Sequence, residues 1–139
     1  MNATVTLLVL AIAALIAPCE AASAPTLVAI CPGGSVNGSR TQLKEQGQTV
    51  EEDRVTLSTF VYSFDVPEKG LASILYGKEE TIGRVINEYP TYRTVVYRYG
   101  GVSYMDTVFQ KANRVLCTEH KDSSGAPVAT TWRLDCKIE

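Results

Sequence analysis

From Tyr89 to Cys136 the chain alternates runs rich in Val, Thr and Tyr with short glycine-rich or polar breaks. TYRTVVYRY passes through Gly100-Gly101 into VSYMDTVF and then ANRVLCTEH, and a DSSGAP turn leads to VATTWRLDCKI. Runs of this composition, punctuated in this way, predict strands joined as hairpins in one antiparallel sheet. The last run puts Val128, Thr130, Trp132, Leu134, Cys136 and Ile138 on one face. Ala129, Thr131, Arg133, Asp135 and Lys137 fall on the other. That period of two belongs to a strand with one side towards a core and one towards water.

The pattern changes upstream. Thr26 to Cys31 (TLVAIC) predicts a short apolar strand, and CPGGSVNGS breaks it with Pro32, Gly33-Gly34 and Asn37-Gly38. Residues 39–54 are polar apart from Leu43 and Val50, which predicts one or two helical turns or a mobile loop. Val55 to Val66 predicts a long strand with Phe60, Tyr62, Phe64 and Val66 on one face and Val55, Leu57 and Val61 on the other. Pro67 ends it. Glu68 to Glu88 shifts to helical spacing, with Leu71, Ile74, Leu75, Ile82, Val85 and Ile86 as an apolar stripe. Pro67 and Glu68 suit a helix start, Gly77 interrupts the segment and Pro90 stops it. The expected fold is α+β: one helical segment packed on an antiparallel sheet of five or six strands.

The first residues carry an address. LLVLAIAALIA (7–17) has the length of a signal-peptide core and is too short to span a bilayer. Residues 1–21 are expected to be a signal peptide, with cleavage after Ala24 as the alternative, and 22–139 a single secreted domain. Lipid attachment at Cys19 is disfavoured by Pro18 before it. No later segment is apolar for long enough to span a membrane, so the mature protein is expected to be secreted and monomeric. Without the leader, 13 basic residues face 14 acidic ones, since Glu20 is lost from 15. Such a balance gives no general footprint for nucleic acid or an anionic surface. Arg93, Arg98, Arg114 and Arg133 are read as scattered solvated charges, with a shared basic face as the alternative.

Cleavage leaves Cys31, Cys117 and Cys136, so one thiol stays unpaired. Their spacing fits no zinc site, and neither metal nor cofactor is expected. Cys31–Cys136 is the favoured pair and Cys117–Cys136 the rival. In a hairpin about DSSGAP, Cys117 would lie opposite a residue near Ala129, far from Cys136. Cys117 is then a buried free thiol. Asn37-Gly38-Ser39 is a glycosylation sequon expected on a surface loop.

Catalytic chemistry is sparse. His120 is the only histidine, which excludes two-histidine acid–base hydrolysis. No GxSxG elbow supports a serine hydrolase. Glu119 and His120 are strand neighbours whose side chains point to opposite faces. The dense tyrosines, Tyr89, Tyr92, Tyr97, Tyr99 and Tyr104, suit sheet packing, protein recognition or base stacking.

Tyr89-Pro90-Thr91-Tyr92, Ala112-Asn113-Arg114-Val115-Leu116 and the late Cys136 resemble landmarks of the fungal guanyl-specific ribonucleases. They also resemble those of the RNase-like secreted effectors of powdery mildews and related pathogens. The resemblance covers about 50 residues, and the family closes with a cysteine bonded to one near its N-terminus. Thr91 stands in place of the family's first histidine and Thr130-Thr131 in place of its second. No Glu lies between Tyr99 and Leu116 to act as base. The resemblance therefore implies a non-catalytic secreted effector of virulence type with an RNase-like fold. It would bind a host protein or RNA outside cells or after translocation into them. Candidate ligand-binding residues are Tyr89, Tyr92, Arg98 and Arg114. The alternatives are a secreted weak ribonuclease or other hydrolase using His120, and an extracellular inhibitor or binding module.

Overall fold

The computed structural model describes residues 24–44, 47–123 and 126–139; the expected leader, 1–21, lies outside them. Eleven strands follow one another: β1 (Leu27–Cys31), β2 (Gly34–Lys44), β3 (Gly47–Leu57), β4 (Phe60–Phe64), β5 (Leu71–Tyr76) and β6 (Glu79–Glu88). Then come β7 (Tyr92–Tyr99), β8 (Val102–Phe109), β9 (Arg114–Ser123), β10 (Ala126–Asp135) and β11 (Lys137–Ile138). All pair antiparallel in one sheet of order β11-β1-β4-β5-β6-β7-β8-β9-β10-β2-β3. The described chain is all-β and contains no helix, which corrects the α+β expectation.

The sheet is a curled half-barrel whose two ends are stitched together. Only Pro32 and Gly33 separate β1, near one end of the strand order, from β2, near the other. Ser58 and Thr59 likewise separate β3 from β4, and Cys136 alone separates β10 from β11. The eleven strands are therefore eight ribbons running alternately up and down. The first ribbon, β1–β2, pairs with the last at both levels, β2 with β10 and β1 with β11. Eight strands enclose an interior just wide enough for side chains or one small ligand.

The first two ribbons form one long hairpin whose register never slips. Cys31 lies opposite Phe60 and Gly34 opposite Leu57, on either side of the same two-residue break. Below the break Leu27, Ala29 and Cys31 are buried, as are Phe60, Tyr62 and Phe64; above it the inward positions are Val36 and Gly38, and Val55 and Leu57. Both strands thus exchange faces together. The sequence expectation put Val55 and Leu57 on the opposite face from Phe60; the break at Ser58-Thr59 brings them to the same one. Gly33 makes the crossing sterically feasible, since a Cβ there would sit 2.5 Å from the Leu57 carbonyl oxygen.

The segment expected to be helical, residues 68–88, is the β5–β6 hairpin. Tyr76 faces Glu79 across Gly77, whose φ of 61° supplies the left-handed turn. Its apolar residues split between two faces. Ile74 is buried, whereas Ile82 and Ile86 stand on the exterior, 43% and 45% exposed. Residues 39–54, read as loop or helical turns, lie almost entirely in β2 and β3. Most of β3 is exposed, so that arm lacks a core-facing alternation to betray it. Its outer edge meets no other strand among the described residues. Asn37, expected on a loop, is an exposed residue of β2 opposite Arg54.

Other sequence expectations hold. Gly100 and Gly101, with φ of 57° and 78°, turn β7 into β8; positive φ at both central residues is the signature of a type I′ hairpin. Thr130, Trp132, Leu134 and Cys136 are buried along the face the alternation marked. Cys31 and Cys136 are joined, tying the first ribbon to the last, and Cys117 is a buried free thiol. Cys117 lies opposite Trp132 rather than near Ala129, which faces His120 instead.

The lower part of the barrel is filled by Leu27, Ala29, Phe64, Ala72, Val95, Val108 and Val115. Arg93 caps that end, its guanidinium 5.4 Å above the Phe64 ring, 2.7 Å from Thr26 Oγ1 and 3.5 Å from Asp65 Oδ2. Packing is tight at Gly83, which lies opposite Ala72. A Cβ there would approach Val95 Cγ2 to 2.6 Å and Ile74 Cδ1 to 2.9 Å. Gly83→Ala is expected to cost about 1–3 kcal/mol by overpacking, read from urea unfolding midpoints. Unchanged stability would show that the interior yields there.

Candidate functional site

Above this plug the barrel interior is not filled. A cavity of about 190 Å³ opens towards the upper end, where the β5–β6 and β7–β8 turns lie. Period-two alternation explains which residues reach it, because each ribbon sends every second side chain inward. Val55, Leu57 and Phe60 come from the long hairpin, Ile74 and Tyr76 from β5, and Thr81 from β6. Tyr97 and Tyr99 of β7, Tyr104 of β8, Cys117 and Glu119 of β9 and Trp132 of β10 complete the wall.

The aromatic rings hold one another. Tyr97 and Tyr104 stack with centroids 5.1 Å apart and planes at 9°, and Phe60 and Tyr76 lie 4.6 Å apart. Tyr76 meets Tyr99 edge-on at 6.0 Å. Trp132 lies along β2, its Cδ1–Nε1 edge so close to Gly38 that a Cβ there would come within 2.4 Å. The Trp132 Nε1–H is buried and meets no acceptor among the described residues. A buried donor left unmatched in this way is uncommon and calls for an explanation.

Asp106 lies in the interior below the cavity and is fully buried. Tyr62 and Tyr97 each donate a hydroxyl to its Oδ2, both at 2.6 Å. Oδ1 completes no hydrogen bond of normal geometry, although the Cys117 thiol and the Thr118 amide lie beside the carboxylate. Burial pushes the Asp106 carboxyl above its ordinary pKa, against the opposing pull of the two phenol donors. Burial, reinforced by the Asp106 charge, likewise holds the Tyr62 and Tyr97 phenols and the Cys117 thiol far above their ordinary range. A thiol so held is inert as a nucleophile.

Glu119 is the carboxylate in the cavity wall itself. Tyr104 donates to its Oε2 at 3.3 Å, and Lys121 Nζ lies 3.7 Å from its Oε1. Lys121 is on the same strand two residues nearer the mouth, with its side chain 60% exposed. Burial, then the Glu119 charge, raises the Tyr104 phenol. At the rim Tyr99 donates its hydroxyl to Glu79. Among the described residues no Lys or Arg lines the cavity.

The residues expected to bind ligand lie elsewhere, on the outer surface. Tyr89 is 53% exposed at the lower end and packs on Tyr92 at 4.8 Å, which in turn meets Phe109 at 5.9 Å. Arg114 faces Phe109 across the β8–β9 pair and forms an ion pair with Asp135 at 3.4 Å. Arg98 is six positions along β7 from Tyr92, roughly 20 Å at the rise of a strand. Its guanidinium donates to the Gly101 carbonyl at 3.0 Å. The structure thus brings Tyr89, Tyr92 and Arg114 to one end and leaves Arg98 near the other. His120 is exposed, on the face opposite Glu119.

Sequence reasoning missed Asp106, Glu119 and Trp132 as members of one site. The signal was present in two alternations, Tyr104-x-Asp106-x-Val108 and Val115-x-Cys117-x-Glu119. Each sets a carboxylate in phase with core residues. Among the described residues no group of His, Cys, Asp and Glu is arranged to hold a metal ion, and no helix is long and apolar enough to cross a membrane. No protein-family model, curated protein or solved structure matches the chain.

Proposed function

We propose that this protein is a secreted, non-catalytic binding protein that takes one small, largely apolar ligand into the barrel. The observation that carries this reading is the aromatic-walled cavity above a plugged core. Its size narrows the ligand: about 150 Å³ accommodates benzene, and drug-sized molecules need roughly 300–1,000 Å³. At about 190 Å³ the space suits one ring or two fused rings rather than a lipid chain. The walls favour binding over reaction, since the Tyr97 phenol and the Cys117 thiol are both held against ionisation. The disulfide suits a protein that works in an oxidising compartment. A secreted binder of this kind acts by carrying or withholding its ligand, which accommodates the effector and inhibitor roles alike. The RNA-binding reading draws less support, because Arg98 and Arg114 are far apart and Arg114 is paired with Asp135.

The test is calorimetric titration of the oxidised protein with indole, beside a Thr81→Phe variant that narrows the cavity. Saturable one-to-one binding is expected in the native protein and its loss in the variant, with near-UV circular dichroism retained. At a hundredfold excess over Kd, ligand is expected to add about 2.7 kcal/mol of stability. Absence of binding by indole and by its substituted forms would discard the proposal.

A further inference from the structure

The chemistry of the cavity wall goes beyond size. Ring faces carry negative electrostatic potential, and a cation set over them is attracted, most strongly where water is excluded. Here Tyr76, Tyr97, Tyr99 and Tyr104 stand around one space, with the Glu119 carboxylate in its wall. Glu79 lies at the rim and Asp106 below. The cation that reaches Glu119 is Lys121, at 3.7 Å and largely in solvent at the mouth. Such an exposed, long ion pair is weak. An ammonium entering the cavity can displace it at little cost.

We infer that the cavity selects a small aromatic amine, with its ring among the tyrosines and its ammonium on Glu119. This rests on the cavity reading above and adds the ligand's charge to it. A neutral ligand of the same shape would gain no charge-assisted contact, and Glu119 would keep only its long pair with Lys121. An anionic one would set like charge against Glu119. An amine instead exchanges its lost hydration for a charge-assisted hydrogen bond and the ring faces.

Three probes of nearly equal shape separate the two levels of the claim: tryptamine, its alcohol counterpart tryptophol, and indole-3-acetate. Each is titrated into the oxidised protein by calorimetry at pH 7. Tryptamine is expected to bind at least about tenfold more tightly than tryptophol, the gain of one charge-assisted contact, and indole-3-acetate most weakly. In Glu119→Gln, which keeps the shape and a hydrogen-bonding group, the amine should lose its advantage while tryptophol is unchanged. If tryptophol binds wild type as tightly as tryptamine, or the advantage survives Glu119→Gln, the inference is overturned and the cavity reading stands. If none of the three binds, both fall. The comparison within wild type needs no variant to fold.

Discussion

Replacing Cys31 and Cys136 together by serine is expected to lower stability by about 4–5 kcal/mol, the chain-entropy value for a ring of this length. The bridged residues are 105 apart in sequence. Without the bond the first and last ribbons keep their strand pairing but lose the constraint on the unfolded chain. For a domain of ordinary stability that is a large share of the whole. Urea unfolding of the double variant and of wild type at equal temperature measures it. A loss below about 1 kcal/mol would mean that the ribbon pairing alone holds the barrel shut, against the chain-entropy account.

The second large effect is expected at Asp106. In Asp106→Leu the buried hydroxyls of Tyr62 and Tyr97 lose their common acceptor. Each orphaned donor costs about 1–3 kcal/mol, partly offset because no carboxylate is then buried, so a net loss of about 2–4 kcal/mol is expected. Adding Tyr62→Phe and Tyr97→Phe removes the orphans and should restore most of it. If the triple variant is no more stable than Asp106→Leu, the hydroxyls are not the cause. The same residue sets a pH dependence. Its folded pKa is raised above the unfolded value near 3.9, so between the two the folded protein binds more protons. The Asp106 contribution to stability is thus greatest below about pH 4, falls as pH rises through the folded pKa and then levels. The gap between wild type and Asp106→Leu should narrow from pH 3 to pH 7. A gap that widens would mean that the two phenols outweigh burial and hold the carboxyl low.

What could be read beforehand follows from where period and position agree. β10 was legible because its inward residues Thr130, Trp132 and Leu134 are buried and the outward Thr131, Arg133 and Asp135 are polar. The β7–β8 turn was legible because Gly100-Gly101 accepts the positive φ that a two-residue hairpin turn requires. The Cys31–Cys136 bond was the favoured pair, although the register used against its rival set Cys117 opposite Ala129 where the structure sets it opposite Trp132. The β5–β6 hairpin was not legible, because Leu71, Leu75, Ile82 and Ile86 add apolar spacing on the outer face, and helical and strand periods then coincide in one short window. The β2–β3 arm was invisible for the opposite reason: with most of β3 exposed it carries almost no alternation. The cavity escaped because its polar members lie far apart in sequence, and only the ring of ribbons converges them. Tyr89, Tyr92 and Arg114 stand out through short landmarks shared with the ribonucleases, whereas a barrel interior is assembled from alternate residues of every ribbon.

The pairing of the first ribbon with the last also governs when the protein can come into being. β1 meets β11, the last strand in chain order. The seven-strand meander from β4 to β10 can form as it emerges from the ribosome. The ring cannot close until β10 and β11 have been made, since both pair with the first ribbon and contacts of such long sequence separation form late. Until then Cys31 waits, and Cys117 is made before Cys136. Cys117 faces the interior, so closing the ring buries it and leaves Cys31 bonded to Cys136. The closure that completes the barrel thus also sets apart the one thiol that stays free.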